Sequence, residues 1–457
     1  MTVLFGGIPV TFASTGVVGV PLAFLVIMCV LGLLVVGYAG VSRRVSHPAP
    51  FFALLTLGLG GRAGMSAATV EFLGYNAIQT SLFPFLGARV AGLWGGPWWL
   101  WALAAWVVVL LLGRAPITTN TGLLGGMLLV ELAVIVLAVV AAFSHPAVGQ
   151  VDMQPWRWQA LVTDGAGGAL AFCMAAFVGF ELAPSFSEEA RSPRTMMRAT
   201  FVVTGCLGVL YALLGWAVWV GVGPQVLSGA DPGEVVFAAL ARIYGPGVRA
   251  LATVLLFSSV LAALISFHHV VGRNLFGLAR DEVLPARIRT VSRGQRGGVP
   301  RAASMVQSVV AAVVIVVVAW AGFEPMDAFT WLSVLGALSI LVLLVFASVA
   351  AYAYYRTGGG RGHESAFMRM LAPLLGAVTG ALVVLFMASN LHSLLNLPQG
   401  SRQLGLLLPV VIAAFAAAGW WWGAILKRRR PDIYQRLGHG TPPPLTVLDH
   451  DLSGVKI

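Results

Sequence analysis

A glutamate stands near the end of an apolar run: residues 165–184 carry Phe177-Val178-Gly179-Phe180-Glu181 and lead into Ser187-Glu188-Glu189-Ala190-Arg191-Ser192-Pro193-Arg194. A carboxylate this deep in hydrophobic sequence is expensive in lipid and marks a functional place. The glycine two residues before it lets a helix open and present bare amides to a ligand. Such a constellation can grip a small charged solute inside a membrane. Glu181 could touch that solute, or it could tie the opened helix to neighbouring backbone groups.

Two more acids sit in apolar surroundings. Glu131, within residues 122–143, could load and release a proton as the protein changes the face it opens, or it could be a satisfied structural acid. Glu71 begins a set with Tyr75, Asn76 and Gln79 at i, i+4, i+5 and i+8, a spacing that gathers them towards one helical face. Asn76 and Gln79 could hydrogen-bond a polar solute or bridge helices. Trp331 and Ser333 could wall a site, although a tryptophan near a membrane end also serves as an interfacial anchor. The His268-His269 pair reads as packing before proton relay. No His, Cys and carboxylate set has metal-ligand spacing, and no Ser, His and Asp arrangement has the form of a hydrolase, so neither enzyme chemistry nor a metal or cofactor is expected. A sodium site built from carbonyls and hydroxyls would be hard to see in sequence; Ser266 is one candidate ligand.

The elements that carry these residues must be membrane helices. Of the 457 residues 58% are hydrophobic and 10% charged, where a soluble domain carries roughly a quarter charged residues. Apolar stretches of about 20 residues, enough to cross a hydrocarbon core about 30 Å thick, recur at 21–41, 62–86, 97–113, 122–143, 165–184, 199–222, 249–274, 303–322, 328–354, 370–389 and 403–426. Met1 to Val18 holds Gly6-Gly7-Ile8-Pro9 in a piece too short to cross alone, and reads as the second half of a first helix. The expected organisation is a membrane domain over residues 1–426 and a tail over 427–457. From Pro431 onward, with Pro442-Pro443-Pro444, that tail has too little apolar surface to fold independently.

Short cytoplasmic loops collect Lys and Arg. With this layout Arg89, Arg157, Arg242, Arg249 and Arg402 fall on one side and all the other basic residues on the opposite side, which places the carboxyl terminus in the cytoplasm. The net charge of +11 follows from that asymmetry and from the Lys427-Arg428-Arg429-Arg430 cluster. No nucleic-acid module accompanies it, so nucleic acid is not an expected partner. Cys29, Cys173 and Cys206 lie in apolar spans and read as packing residues.

The chain resembles the amino acid-polyamine-organocation (APC) superfamily of secondary transporters, specifically its bacterial amino acid permeases. The resemblance runs through Phe177-Val178-Gly179-Phe180-Glu181 with the following Glu188 to Arg194, through Leu278-Ala279-Arg280-Asp281-Glu282-Val283-Leu284-Pro285, and through Arg430-Pro431-Asp432-Ile433-Tyr434. It covers nearly the whole chain, each piece standing at its expected place in a twelve-helix order.

What the resemblance implies is an all-α polytopic membrane protein with two five-helix repeats in opposite orientations and two additional C-terminal helices. Helices one and six of that order are broken around the substrate. Gly6, Gly7, Ile8 and Pro9 would supply the first break and Phe177, Val178, Gly179 and Phe180 the second, with Glu181 as support of the broken helix. Asn76, Gln79 and Trp331 would join them in substrate binding. Glu131 lies on helix five, where proton-coupled relatives place an ionisable group, often Lys. Met1 falls at the first break, so the first helix is expected to lack its cytoplasmic half, either through an upstream start or in an altered transporter. Half-helix amino ends attract a carboxylate and carbonyl ends an ammonium, so an amino acid or related amine is the expected cargo, moved by alternating access with a proton, or sodium, as coupling ion. A non-transporting membrane sensor or partner subunit using the same pocket is the alternative. Ala175 and Ala176 beside the second break leave room for a side chain.

Overall fold

The structure, a computed structural model, describes residues 1–42, 47–113, 117–186, 193–227, 232–289, 300–358, 365–391 and 405–439. The acidic and basic residues 187–192, Arg402 and residues 440–457 lie outside the described residues. In chain order a π turn over Val3–Gly7 runs into α1 (Ile8–Thr15), followed by α2 (Val20–Ser42), α3 (Pro50–Leu59), α4 (Gly61–Trp94), α5 (Trp98–Leu112), α6 (Ile117–Ser144), the short α7 (Trp158–Leu161) and α8 (Ala166–Phe177). A 3₁₀ segment (Phe180–Phe186) leads to α9 (Pro193–Val222), α10 (Val235–Tyr244), α11 (Pro246–Arg280), α12 (Arg301–Trp320), α13 (Pro325–Arg356), α14 (Ala372–Ser389), α15 (Leu407–Arg429) and α16 (Pro431–Arg436).

Every span read from the sequence coincides with at least part of one of these helices. Among the described residues eight are long and apolar enough to cross a bilayer: those on α2, α9, α11, α12, α13, α14 and α15, and Ala166–Ser185, which continues through the end of α8. α4 and α5 meet that condition together, bent by 119° at the turn between them. The turn is built by Gly95 and Gly96, at φ 75° and 84°, and by Pro97, which precedes the first residue of α5. Glycine enters this left-handed region without a Cβ clash, and proline cannot continue the preceding helix. Within α6, Leu128–Ser144 is a shorter apolar helix. The chain is therefore an all-helical, multi-pass membrane protein. The amphipathic α10 and the ten-residue α3 were not anticipated, because each is shorter than a crossing.

The core is centred on α4 and α13. α4 packs against α3, α5, α11, α13 and α15, while α2 packs against α9 and α14. α13 is the most deeply buried span. Small residues allow this closeness: a Cβ on Gly336 of α13 would stand 2.8 Å from the Gly74 carbonyl of α4 and would also overlap Ile78. Where lipid tails are as apolar as the side chains, such close packing is a main source of helix association.

Three expectations are corrected. Gly6 to Pro9 form no break: Gly7 and Ile8 have right-handed helical dihedrals, and the Ile8 amide reaches the Val3 carbonyl. Pro9 removes one N–H, and a single π turn absorbs that loss without opening the helix. The chain beyond Arg430 does not leave the folded body at once. Ile433 and Leu437 are buried with Ala49, Phe52, Met65, Leu278 and Val283, and Asp281 accepts a hydrogen bond from the Gly438 amide at 2.9 Å. Cys29 and Cys206 face outward from α2 and α9, leaving Cys173 as the buried thiol.

Candidate functional site

α8 stops where the sequence placed an opening. After Phe177 the backbone turns at Val178 (φ −54°, ψ 125°), Gly179 takes φ 119°, and helical structure resumes as 3₁₀ from Phe180. A side chain at Gly179 would be strained, whereas glycine accepts the conformation. Helix ends carry carbonyls and amides without helical partners. Glu181 answers part of this deficit. It is fully buried; its Oε2 accepts from the Gly179 amide at 2.9 Å and its Oε1 from the Tyr75 hydroxyl at 3.1 Å. The Glu181 backbone carbonyl accepts from the Tyr38 hydroxyl at 3.1 Å. α2 and α4 thus hold the interrupted segment through one acid, whose carboxylate is already engaged by protein groups.

Beside this interruption lies a cavity of about 130 Å³, open on one side. Thr2, Val3 and Gly7 line it from the amino-terminal helix, Ile78, Ser81 and Leu82 from α4, Phe172, Ala175, Ala176 and Val178 from α8, Ala263 and Phe267 from α11, and Phe329 and Ser333 from α13. The Ser333 hydroxyl donates to that of Ser81 at 2.9 Å and gives the wall a polar edge. Among the described residues no charged side chain lines the cavity. A second, smaller void of about 30 Å³, between α6, α9 and α10, is lined by aliphatic residues and glycine.

The residues expected at the site divide into three groups. Gly7 and Val178 line the cavity, as do Ala175, Ala176 and Ser333. Gly6, Ile8, Pro9, Phe177 and Phe180 are buried behind its wall: a Cβ on Gly6 would meet the Phe85 ring at 2.8 Å, and Phe177 packs edge-on to Tyr211. Asn76, Gln79 and Trp331 lie away from the lining. The Asn76 amide nitrogen donates to Phe72 of its own helix at 2.7 Å. Gln79 donates to the Leu264 carbonyl at 3.2 Å and accepts from Gln307, which ties α4 to α11 and α12. Trp331 is half-buried against the core.

Glu131 is buried, accepts from the Ser259 hydroxyl at 3.0 Å and lies 3.5 Å from the Met1 amino nitrogen. Ser266 is exposed and bonds to its own helix. His268 is buried against the Ser304 hydroxyl at 2.7 Å. Ser81, Phe172, Phe267 and Phe329 were missed. The spacing of Ile78, Ser81 and Leu82 at i, i+3 and i+4 marks the α4 face that was needed.

The family model for amino acid permeases matches residues 1–421. The chain belongs to the amino acid permease family. The APC resemblance of its broken helix and loops is thereby accounted for. The chain is 30% identical over 308 residues to uncharacterised transporters of Mycobacterium bovis and Mycobacterium tuberculosis, covering 65% of its own length and 63% of theirs. It is also 31% identical over 135 residues to an L-lysine transport protein of Corynebacterium glutamicum, covering 29% of its length and 26% of that protein.

Proposed function

We propose that this protein is a secondary active permease that carries an amino acid or related amine across the cytoplasmic membrane by alternating access. The observation that carries the reading is the interruption of α8 at Val178-Gly179 beside an open cavity that no charged side chain of the described residues lines. Free helix ends there offer partial charges of both signs, which a zwitterion matches and an apolar molecule does not. The family model and the transporter names of the relatives support the same class.

In this reading the amino-terminal helix and α8 are the corresponding members of two inverted five-helix repeats, α14 and α15 are the additional pair, and the basic segment after α15 faces the cytoplasm. Residues 1–426 form the transport unit and 427–457 its cytoplasmic tail. Gly7, Val178 and Ser333 meet the solute, while Gly6, Ile8, Pro9, Phe177, Gly179 and Phe180 shape the wall, and Glu181 braces it. The serine edge and the aromatic wall suit a neutral side chain better than a cationic one.

Uptake of labelled amino acids into proteoliposomes tests the reading. Accumulation or exchange of a neutral amino acid is expected, blocked by bulk at the cavity, as in Ala176→Trp. Binding without any transmembrane movement would replace the permease with a sensor using the same pocket.

A further inference from the structure

The carboxylate of Glu71 takes no part in the cavity, yet it is 1% exposed and neither of its oxygens has a hydrogen-bond partner. On α11, Asn274 is 4% exposed, and both Oδ1 and Nδ2 of its amide are unpartnered too. The groups that act on the carboxylate are the Asn274 amide, the Phe52 backbone in the first turn of α3, and Glu181. Ala49, at the N-cap of α3, supplies no side-chain cap. The Asn274 amide and the Phe52 backbone adjoin the Glu71 carboxylate without reaching ordinary hydrogen-bond geometry; buried polar atoms held this way are costly and call for an explanation.

Among the described residues the titratable groups that act on or feel Glu71 are Glu181, Tyr75 one turn along α4, and Tyr38 of α2. α3 contains no titratable side chain, and neither does the buried stretch 328–351 of α13. Two carboxylates buried beside each other do not both stay ionised without a compensating cation.

We propose that Glu71, opposite Asn274, binds the coupling proton of this transporter, at a place separate from both the substrate cavity and Glu131. A protonated carboxyl satisfies all four orphaned atoms: its O–H donates to Asn274 Oδ1 and its carbonyl oxygen accepts from Nδ2. When the proton leaves to water, the negative charge falls to the amides at the start of α3, whose dipole favours an anion. The proton taken from water on one side is returned to water on the other, and no other bond changes. The link to the solute runs through Tyr75, whose hydroxyl holds the Glu181 oxygen, and through Glu181, which holds the Gly179 amide. Charge appearing at Glu71 therefore acts on the acid that braces the interruption.

The proposal rests on the permease reading, and the test separates the two. In proteoliposomes under a one-unit pH gradient, wild type is expected to accumulate its amino acid up to about tenfold, the limit for one proton per solute. Glu71→Gln keeps the shape of the side chain and is expected to exchange labelled for unlabelled amino acid while accumulating none. Gradient-driven accumulation by Glu71→Gln overturns the proposal, as does wild-type exchange that responds to sodium and not to pH. Both outcomes leave the permease reading standing; wild type without any exchange removes that reading itself. If Glu71→Gln cannot exchange, the infrared spectrum of the wild type decides. A protonated carboxyl band lost on alkaline titration, with a hydrogen-bonded position that shifts in Asn274→Leu, is expected, and absence of any such titrating band overturns the assignment.

Discussion

Glu181 and Gly179 carry the shape of the interruption between them. Replacing Glu181 with Ala leaves the Gly179 amide and the Tyr75 hydroxyl without their acceptors, at about 1–3 kcal/mol for each group left buried and unpaired. Loss of uptake together with a lower thermal unfolding midpoint in detergent is the expected outcome; Tyr75→Phe, which removes a donor and strands one carboxylate oxygen, is expected to be milder in both. Gly179→Ala places a Cβ on a residue at φ 119°, a strain of order 1–3 kcal/mol, and is expected to lower the unfolding midpoint and abolish uptake even though space around the position is open. The place was legible in the sequence, because an acid beside a glycine in an apolar run stands out; whether Glu181 touches a solute or ties the opened helix to its neighbours was left open there. The roles of Gln79 and Asn76 were not legible, since an amide in a membrane helix has the same signature whether it meets a solute or a carbonyl of the next helix. The structure shows the second for Gln79, through Leu264 and Gln307.

At the scale of helices, the crossing of α4 and α13 determines how wide the cavity can be, because Ile78, Ser81 and Leu82 face Phe329 and Ser333 across it. Gly336→Ala would press a methyl group onto the Gly74 carbonyl and Ile78, forcing the helices apart at a cost of about 1–3 kcal/mol. A weaker apparent affinity with a reduced unfolding midpoint is expected; an unchanged midpoint would mean that the crossing is looser than its glycines indicate. The membrane spans were readable because hydrocarbon thickness imposes their length, and that constraint is strong enough to survive in a single sequence. α3 and α10 escaped because ten-residue helices obey no such rule. The absent break at Gly6 to Pro9 shows the other limit: glycine and proline permit an opening, but neighbouring packing decides whether one forms. Phe85 against Gly6 and the π turn before Ile8 keep that backbone helical.

Over the whole molecule the asymmetry of basic charge and the docking of the carboxyl-terminal segment point to one face. Arg430 lies 3.7 Å from Glu282, Asp281 accepts from the Gly438 amide, and Ile433 and Leu437 complete a small apolar cluster with α3, α4 and the end of α11. In the proposed reading, the preference of basic loops for the cytoplasm puts the face carrying Lys427-Arg428-Arg429-Arg430 in the cell interior. The assignment can be tested by thiol labelling. Cys29, Cys173 and Cys206 can be replaced by Ala, with retained exchange checked for the buried Cys173, and a single cysteine introduced at Gln435. A membrane-impermeant maleimide is expected to leave that cysteine unlabelled in intact cells and to label it in inside-out vesicles. A cysteine introduced at Ala147, before α7, is expected to label in the reverse pattern. Labelling of Gln435→Cys from outside would invert the molecule and, with it, the direction in which a proton gradient could drive uptake through the site between α4 and α11.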